Sequence, residues 1–442
     1  MLLYVLIGNI RIMPKLFHLT VDKNSLLDFF KIFDYFICIE DGKDYSYDKV
    51  KVITMKQNII DSLKNFLNKY SNDNRNNQLI KEFKKVKDGE NFILYLHISL
   101  NGKIEDTEFN KIENDMILEL NKLLGLSCEE MIKYISFINN NYDLQSSKKY
   151  EYDGKHTYEI DSKGKQCKYC PNLGMEYFHK DAHIIPESLG GHLLDARECD
   201  ECNDYFGRII EPNLLKFLGP FRTILGISGK SGIPKSKDSN NTTIEFKIDS
   251  NENKINEINI IPDNNSVIKD LENNKLKYKI EKINFHSLYK CLSKIALGLI
   301  PQKDIHNFSK TINWIKDEKN SCNLPPLIFN FHYMNIHNRP CIDIYKRKDV
   351  NNYDIPYMFA VISLKGMNFI YIVPLSNYDK KDFFDKDDFD KIMNNLFYKF
   401  AYSKKYILIN CNENKEVSFE YEFDLNTPNM NIKINGLIPI FQ

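Results

Sequence analysis

QCKYCPNLGMEYFHKDAHIIPESLGGHLLDARECDECN, residues 166–203, holds four of the ten cysteines of the chain in two C-x-x-C pairs, Cys167 with Cys170 and Cys199 with Cys202. Four thiolates at that spacing suit a closed tetrahedral zinc site, in which each pair supplies two soft sulfur ligands. No coordination position stays open, so such a site is structural and pins two loops where little core is present to do so. Between the pairs, Ala182-His183-Ile184-Ile185-Pro186 reads as a strand that stops at the proline, and Gly190-Gly191 permits a tight loop. The polar residues after Cys199 enter a helix with Asn203 near its start. His183 and Asn203 thus sit on elements whose bases one ion would tie together, which makes them a pre-organised pair.

Outward from this segment, the 442 residues exceed one ordinary domain and predict several. Lys plus Arg equals Asp plus Glu at 60 each, so a nucleic-acid partner has to be held by a local patch. With 43% hydrophobic and 13% aromatic residues, the chain can bury substantial cores, and disorder throughout is excluded. The start, MLLYVLIGNIRIMPK, lacks the basic n-region and small-residue cleavage site of a secretory signal. Its first twelve residues read as a first strand or as a stretch upstream of a start at Met13. No run reaches the length of a membrane span, and the expected location is the cytoplasm. There, paired cysteines bind metal more readily than they form disulfides. The isolated Cys38, Cys128, Cys291, Cys322, Cys341 and Cys411 read as buried reduced thiols.

The predicted fold class is α+β multidomain. Residues 1–145 read as a mixed α/β domain, with helical spacing in Ile59, Ile60, Leu63, Phe66 and Leu67 and again in Ile112, Met116, Leu120 and Leu123. Between them FILYLHIS forms a strand running to an Asn101-Gly102 turn, and Ser127 to Glu130 has the form of a capping box. Residues 146–235 read as the central zinc-stapled module with a lead-in hairpin, the polar stretch 139–165 serving as a linker into a turn at Asp153-Gly154. Residues 236–442 read as a β-rich domain with helices around FHSLYKCLSKIALGLI and KDDFDKIMNNLFYKFAY.

The pieces C-x-x-C, HIIP, LGG and C-x-x-C-N together resemble an HNH endonuclease of the ββα-metal superfamily, in the branch whose motif is embedded in a four-cysteine zinc site. The resemblance covers this segment alone, extended at most to Phe221-Arg222-Thr223-Ile224. It implies a central ββα-metal module, His183 as general base, Asn203 as a residue holding a catalytic Mg²⁺ or Mn²⁺, and Cys167, Cys170, Cys199 and Cys202 as ligands of structural Zn²⁺. Those types suit phosphodiester hydrolysis, since a neutral imidazole can take a proton from water and one hard cation can stabilise the leaving oxygen. Members of the family often carry a metal-ligating residue directly before the base, where this chain has Ala182. Asp181 is the first candidate to replace it, followed by His179, His192 and Glu187, and for the middle Asn of the motif the polar choices are Asp195 and Arg197.

Downstream, Arg208, Lys216, Arg222, Lys230 and Lys235 outnumber Asp204 and Glu211, so Arg208, Arg222 and Lys230 are candidates for the phosphate backbone. The implied substrate is DNA, with RNA as an open alternative, and the flanking domains would sense a nucleic-acid form, a partner protein or a signal. Family analogy points to prokaryotic defence against phage or to restriction. The competing reading is a non-catalytic zinc adaptor for nucleic acid or protein, in which His183 only orients a loop.

Overall fold

A continuous apolar run, Phe92 to Leu96, makes Asn91–Ser99 the strand that organises the N-terminal part of the computed structural model, which describes residues 2–8, 15–35, 38–40, 44–70, 75–99, 114–115, 118, 129–147, 158–160, 166–247, 257–262, 274–331, 340–396, 406–424 and 431–436. That strand lies between Leu2–Gly8 and Val50–Thr54, and Lys15–Thr20 completes a four-stranded antiparallel sheet. The opening residues are therefore a central strand of this sheet. Helices Lys23–Ile32 and Gln57–Tyr70 lay Phe29, Phe30, Leu63 and Phe66 against Leu3, Val5, Leu94 and Leu96. Asp22 and Ser25 close a reciprocal capping box that starts the first of these helices. The expected Asn101-Gly102 turn, Met13, Ser127 and most of the helix read at 112–123 lie outside the described residues.

The chain divides into two compact units, one within Met1–Ser136 and the other within Phe137–Phe331 and Arg339–Gln442. In the second unit a single hydrophobic core runs from Cys167 to Phe423. It packs around helix Phe285–Gly298, whose apolar residues recur on every side and which is buried almost throughout. A six-stranded antiparallel sheet in the order 406–409, 327–331, 367–372, 358–364, 341–347, 142–146 contributes much of that core. A second sheet pairs Lys275–Asn284 with Glu416–Asp424 and Asn431–Gly436.

The residues read as a central module and those read as a C-terminal domain share this core. Phe217, at the end of helix Glu211–Phe217, has the rings of Phe285, Phe329, Phe369, Phe419 and Tyr421 within 5.0–6.0 Å. The Tyr421 hydroxyl donates to its carbonyl at 2.7 Å. The stretch expected as a linker also differs: Tyr142–Ser146 is an edge strand paired antiparallel with Cys341–Arg347. Its polar composition hid it, because an edge strand needs only some of its side chains in the core, here Tyr142 and Ser146. The second arm of the expected Asp153-Gly154 hairpin, Tyr158–Ile160, instead pairs in parallel with Leu193–Asp195, and the first arm lies outside the described residues. Strands Lys275–Asn284, Leu327–Phe331 and Cys341–Arg347 and helix Ser309–Lys316 were not anticipated. Among the described residues no helix is long and apolar enough to cross a membrane.

Candidate metal centre

The first cysteine pair sits in a tight turn closed by the Cys167 amide donating to the Asn172 carbonyl at 3.0 Å. The second straddles a helix start: Cys199 is the N-cap of helix Asp200–Ile209 and Cys202 lies in its first turn. The two pairs face one another. Cys167 Sγ is 3.9 Å from Cys202 Sγ, Cys170 Sγ is 3.5 Å from Cys199 Sγ, and all four sulfurs lie within 4.8 Å of each other. A tetrahedron with Zn–S bonds of about 2.3 Å has edges of about 3.8 Å, and the two measured pairs lie near that spacing, so the four sulfurs are grouped closely enough to hold one metal ion. The Tyr169 amide and the Asn172 side-chain amide donate to Cys167 Sγ and Cys199 Sγ at 3.4 and 3.5 Å, contacts that stabilise sulfur carrying negative charge. Three of the four cysteines are buried, so the site is closed, as a structural metal needs.

Beside this centre the chain forms two short antiparallel segments followed by the helix. The Ile184 amide donates to the Leu193 carbonyl at 2.9 Å and the Asp195 amide to the Ala182 carbonyl at 2.8 Å, bringing His183 opposite Leu194. The connection requires both glycines. Gly190 adopts φ +83°, and a Cβ on Gly191 would stand 1.9 Å from the Ile185 carbonyl oxygen. His183 is half-buried and burial pulls its pKa below the ordinary 6.5, while Glu187 and Asp181 pull it up and Lys294 down. Asn203 is half-buried in the first turns of the helix, one residue beyond Cys202.

Two buried lysines join this module to helix Phe285–Gly298. Lys168 Nζ lies 2.9 Å from Asp195 Oδ2 and donates to the carbonyls of Leu297 and Gly298. Lys294 Nζ comes from the helix side and donates to the His183 carbonyl at 3.0 Å, with Glu198 at 3.1 Å and Glu211 at 3.5 Å. Burial pushes the Glu198 carboxyl up to about 8, although Lys294 opposes the shift. Burial lowers the pKa of Lys294, but Glu198 and Glu211 outweigh it and hold the ammonium charged. A Cβ on Gly298 would meet Ile184 Cγ2 at 2.7 Å, so the helix end lies directly against the strand that carries His183.

The other sequence candidates fall into three groups. Ala182 is buried and Asp181 exposed, as alternation along the strand dictates. Asp195 and Arg197 are both buried, Asp195 paired with Lys168 and Arg197 donating to the Ile300 carbonyl just past helix Phe285–Gly298, so neither is placed like an open-site counterpart of the middle Asn. His179 is exposed with Nδ1 at 3.0 Å from Asp200 Oδ2, and His192 and Glu187 are exposed. Lys230 is exposed at the tip of a turn closed between Gly229 and Gly232, and a Cβ on Gly229 would stand 3.0 Å from the Ser188 Cα, which sets this turn against the loop following His183. Arg208 is exposed on the Asp200–Ile209 helix. Arg222 is half-buried, and its Nε is buried with no hydrogen-bond partner. Lys168, Lys294, Glu198 and Glu211 were missed. The one available signal was a lysine inside a run as apolar as LSKIALGLI, which has to be paired if the helix is enclosed.

No curated protein and no solved structure matches the chain. Residues 167–218 match the family model described as HNH endonuclease. They contain both cysteine pairs, His183 and Asn203, so this segment of the chain is similar to HNH endonucleases and carries four clustered cysteines that could hold a metal ion.

Proposed function

We propose that the domain is a metal-dependent endonuclease that hydrolyses phosphodiester bonds in DNA. The observation that carries this reading is the HNH match over a segment whose four sulfurs converge at zinc spacing and whose hairpin and helix present His183 and Asn203. His183 takes a proton from the attacking water. Its burial supports the role, because a lowered pKa leaves the imidazole neutral and able to accept at pH 7. A divalent ion such as Mg²⁺ or Mn²⁺, when bound, would supply charge neutralisation at the phosphate and at the departing 3′-oxygen. Asn203 and Asp181 are the residues of this chain offered to hold it, Asp181 standing in for the ligand that Ala182 cannot supply. Arg208, Arg222 and Lys230 meet the DNA backbone, and Cys167, Cys170, Cys199 and Cys202 would hold a structural Zn²⁺ that keeps hairpin and helix in register.

In the same reading, residues 146–235 carry the chemistry, while 1–145 and 236–442 recognise the nucleic acid, a partner protein or a signal. Cytoplasmic action in defence against phage or in restriction is the setting proposed. Plasmid nicking in Mg²⁺ or Mn²⁺ tests the activity. Wild type is expected to cut and His183→Ala to lose cutting by about 100-fold or more, the usual worth of a general base. Equal, metal-independent inactivity of both proteins would favour the adaptor, and cutting of RNA alone would move the substrate class.

A further inference from the structure

We infer that Lys294, which lies outside the HNH segment, is a positioning residue for His183: its buried ammonium fixes the backbone carbonyl of the proposed base from the neighbouring helix. The inference rests on the proposed hydrolysis and adds a residue to it. The His183–Ile184 peptide unit is held at both polar ends, its carbonyl by Lys294 Nζ at 3.0 Å and its amide by the Leu193 carbonyl at 2.9 Å. Lys294 is 1% exposed, so water cannot take over its hydrogen bonds. Its own position is fixed by Glu198 at 3.1 Å, by Glu211 at 3.5 Å and by the Phe206 ring, whose centroid is 5.7 Å away. Glu198 belongs to the loop before the metal helix and Phe206 to the helix that carries Asn203. One ammonium therefore touches the hairpin, the loop and the helix at once. One turn farther along its own helix, Gly298 admits Ile184 at a distance no side chain would allow.

A peptide pinned at both ends leaves the His183 ring little freedom to swing, and the loss of one pin lets it drift by a fraction of the distance over which proton transfer operates. Displacements near 1 Å can cost about 100-fold in rate. The substrate is not touched by Lys294, so its binding has no reason to change.

The test is steady-state cleavage by the full chain carrying Lys294→Met, alone and combined with His183→Ala, with zinc content and Trp314 fluorescence checking the fold. The expected result is a kcat lower by about 100-fold at unchanged KM, and no further loss when His183 is already alanine. Wild-type kcat in folded Lys294→Met overturns the inference while leaving the endonuclease reading in place, and so does a full additional loss on the His183→Ala background. If Lys294→Met does not fold, Lys294→Met with Glu198→Gln replaces the orphaned buried carboxyl by an amide of the same shape and the same kcat comparison decides. A wild type that does not cut, or cuts no faster than His183→Ala, overturns the proposed function and this inference with it.

Discussion

Lys168→Met probes how the metal module is seated on the rest of its unit. The lysine side chain is 0% exposed and that of Asp195 1%, and their 2.9 Å contact is accompanied by hydrogen bonds to the carbonyls of Gly298 at 2.8 Å and Leu297 at 3.3 Å. Methionine fills much of the space of the stem, so packing changes little. What changes is polar: a buried carboxylate loses its cation, and two carbonyls at a helix C-terminus lose their donor. Breaking one side of a buried pair costs about 3–5 kcal/mol. The Arg197 amide, 3.1 Å from Asp195 Oδ1, keeps one hydrogen bond in place and argues against a larger figure. Adding Asp195→Asn removes the orphaned charge and should return all but about 1–2 kcal/mol, the worth of the hydrogen bonds still missing. Urea unfolding followed by Trp314 fluorescence reads this directly, because the chain has one tryptophan and it is buried in the same unit. A loss below about 1 kcal/mol for Lys168→Met, or no recovery on adding Asp195→Asn, would refute the argument that this contact is a dry ion pair.

Two further outcomes test the centre itself. Elemental analysis should find about one zinc per chain in the wild type and little in Cys199→Ser, since a tetrahedral site with one thiolate removed loses both charge and a ligand; undiminished zinc in the variant would place the ion elsewhere. Cleavage should rise with pH through the titration of His183 and be level by pH 7: the base works only when neutral, and burial lowers its pKa, so the midpoint belongs below 6.5. A midpoint above 6.5 would mean that the titrating base is not this half-buried imidazole.

Much of the candidate site was legible without coordinates. Metal ligands repeat at short spacings because one turn has to supply two sulfurs, so the two C-x-x-C pairs announced a shared centre that the fold then assembled within 4.8 Å. Pro186 and Gly190-Gly191 marked the loop after His183 for equally local reasons, the steric limits on the backbone at those positions. The apolar run in FILYLHIS also foretold strand Asn91–Ser99, and the stretch FHSLYKCLSKIALGLI reads as the helix found at Phe285–Gly298.

Sequence alone therefore determined which four cysteines would cluster, the loop beside them and the elements with a strong hydrophobic period, all of them properties of a few neighbouring residues. Only the tertiary structure decided that Phe217 would lie among the aromatic rings of the C-terminal strands, that Tyr142–Ser146 would be an edge strand, and that Lys168 and Lys294 would be enclosed with Asp195, Glu198 and Glu211. The physical reason is range. A lysine has no periodic signature of burial, and its ordinary place is in water; it can lie at the centre of this unit only because residues far away along the chain arrive with carboxylates and carbonyls to replace that water.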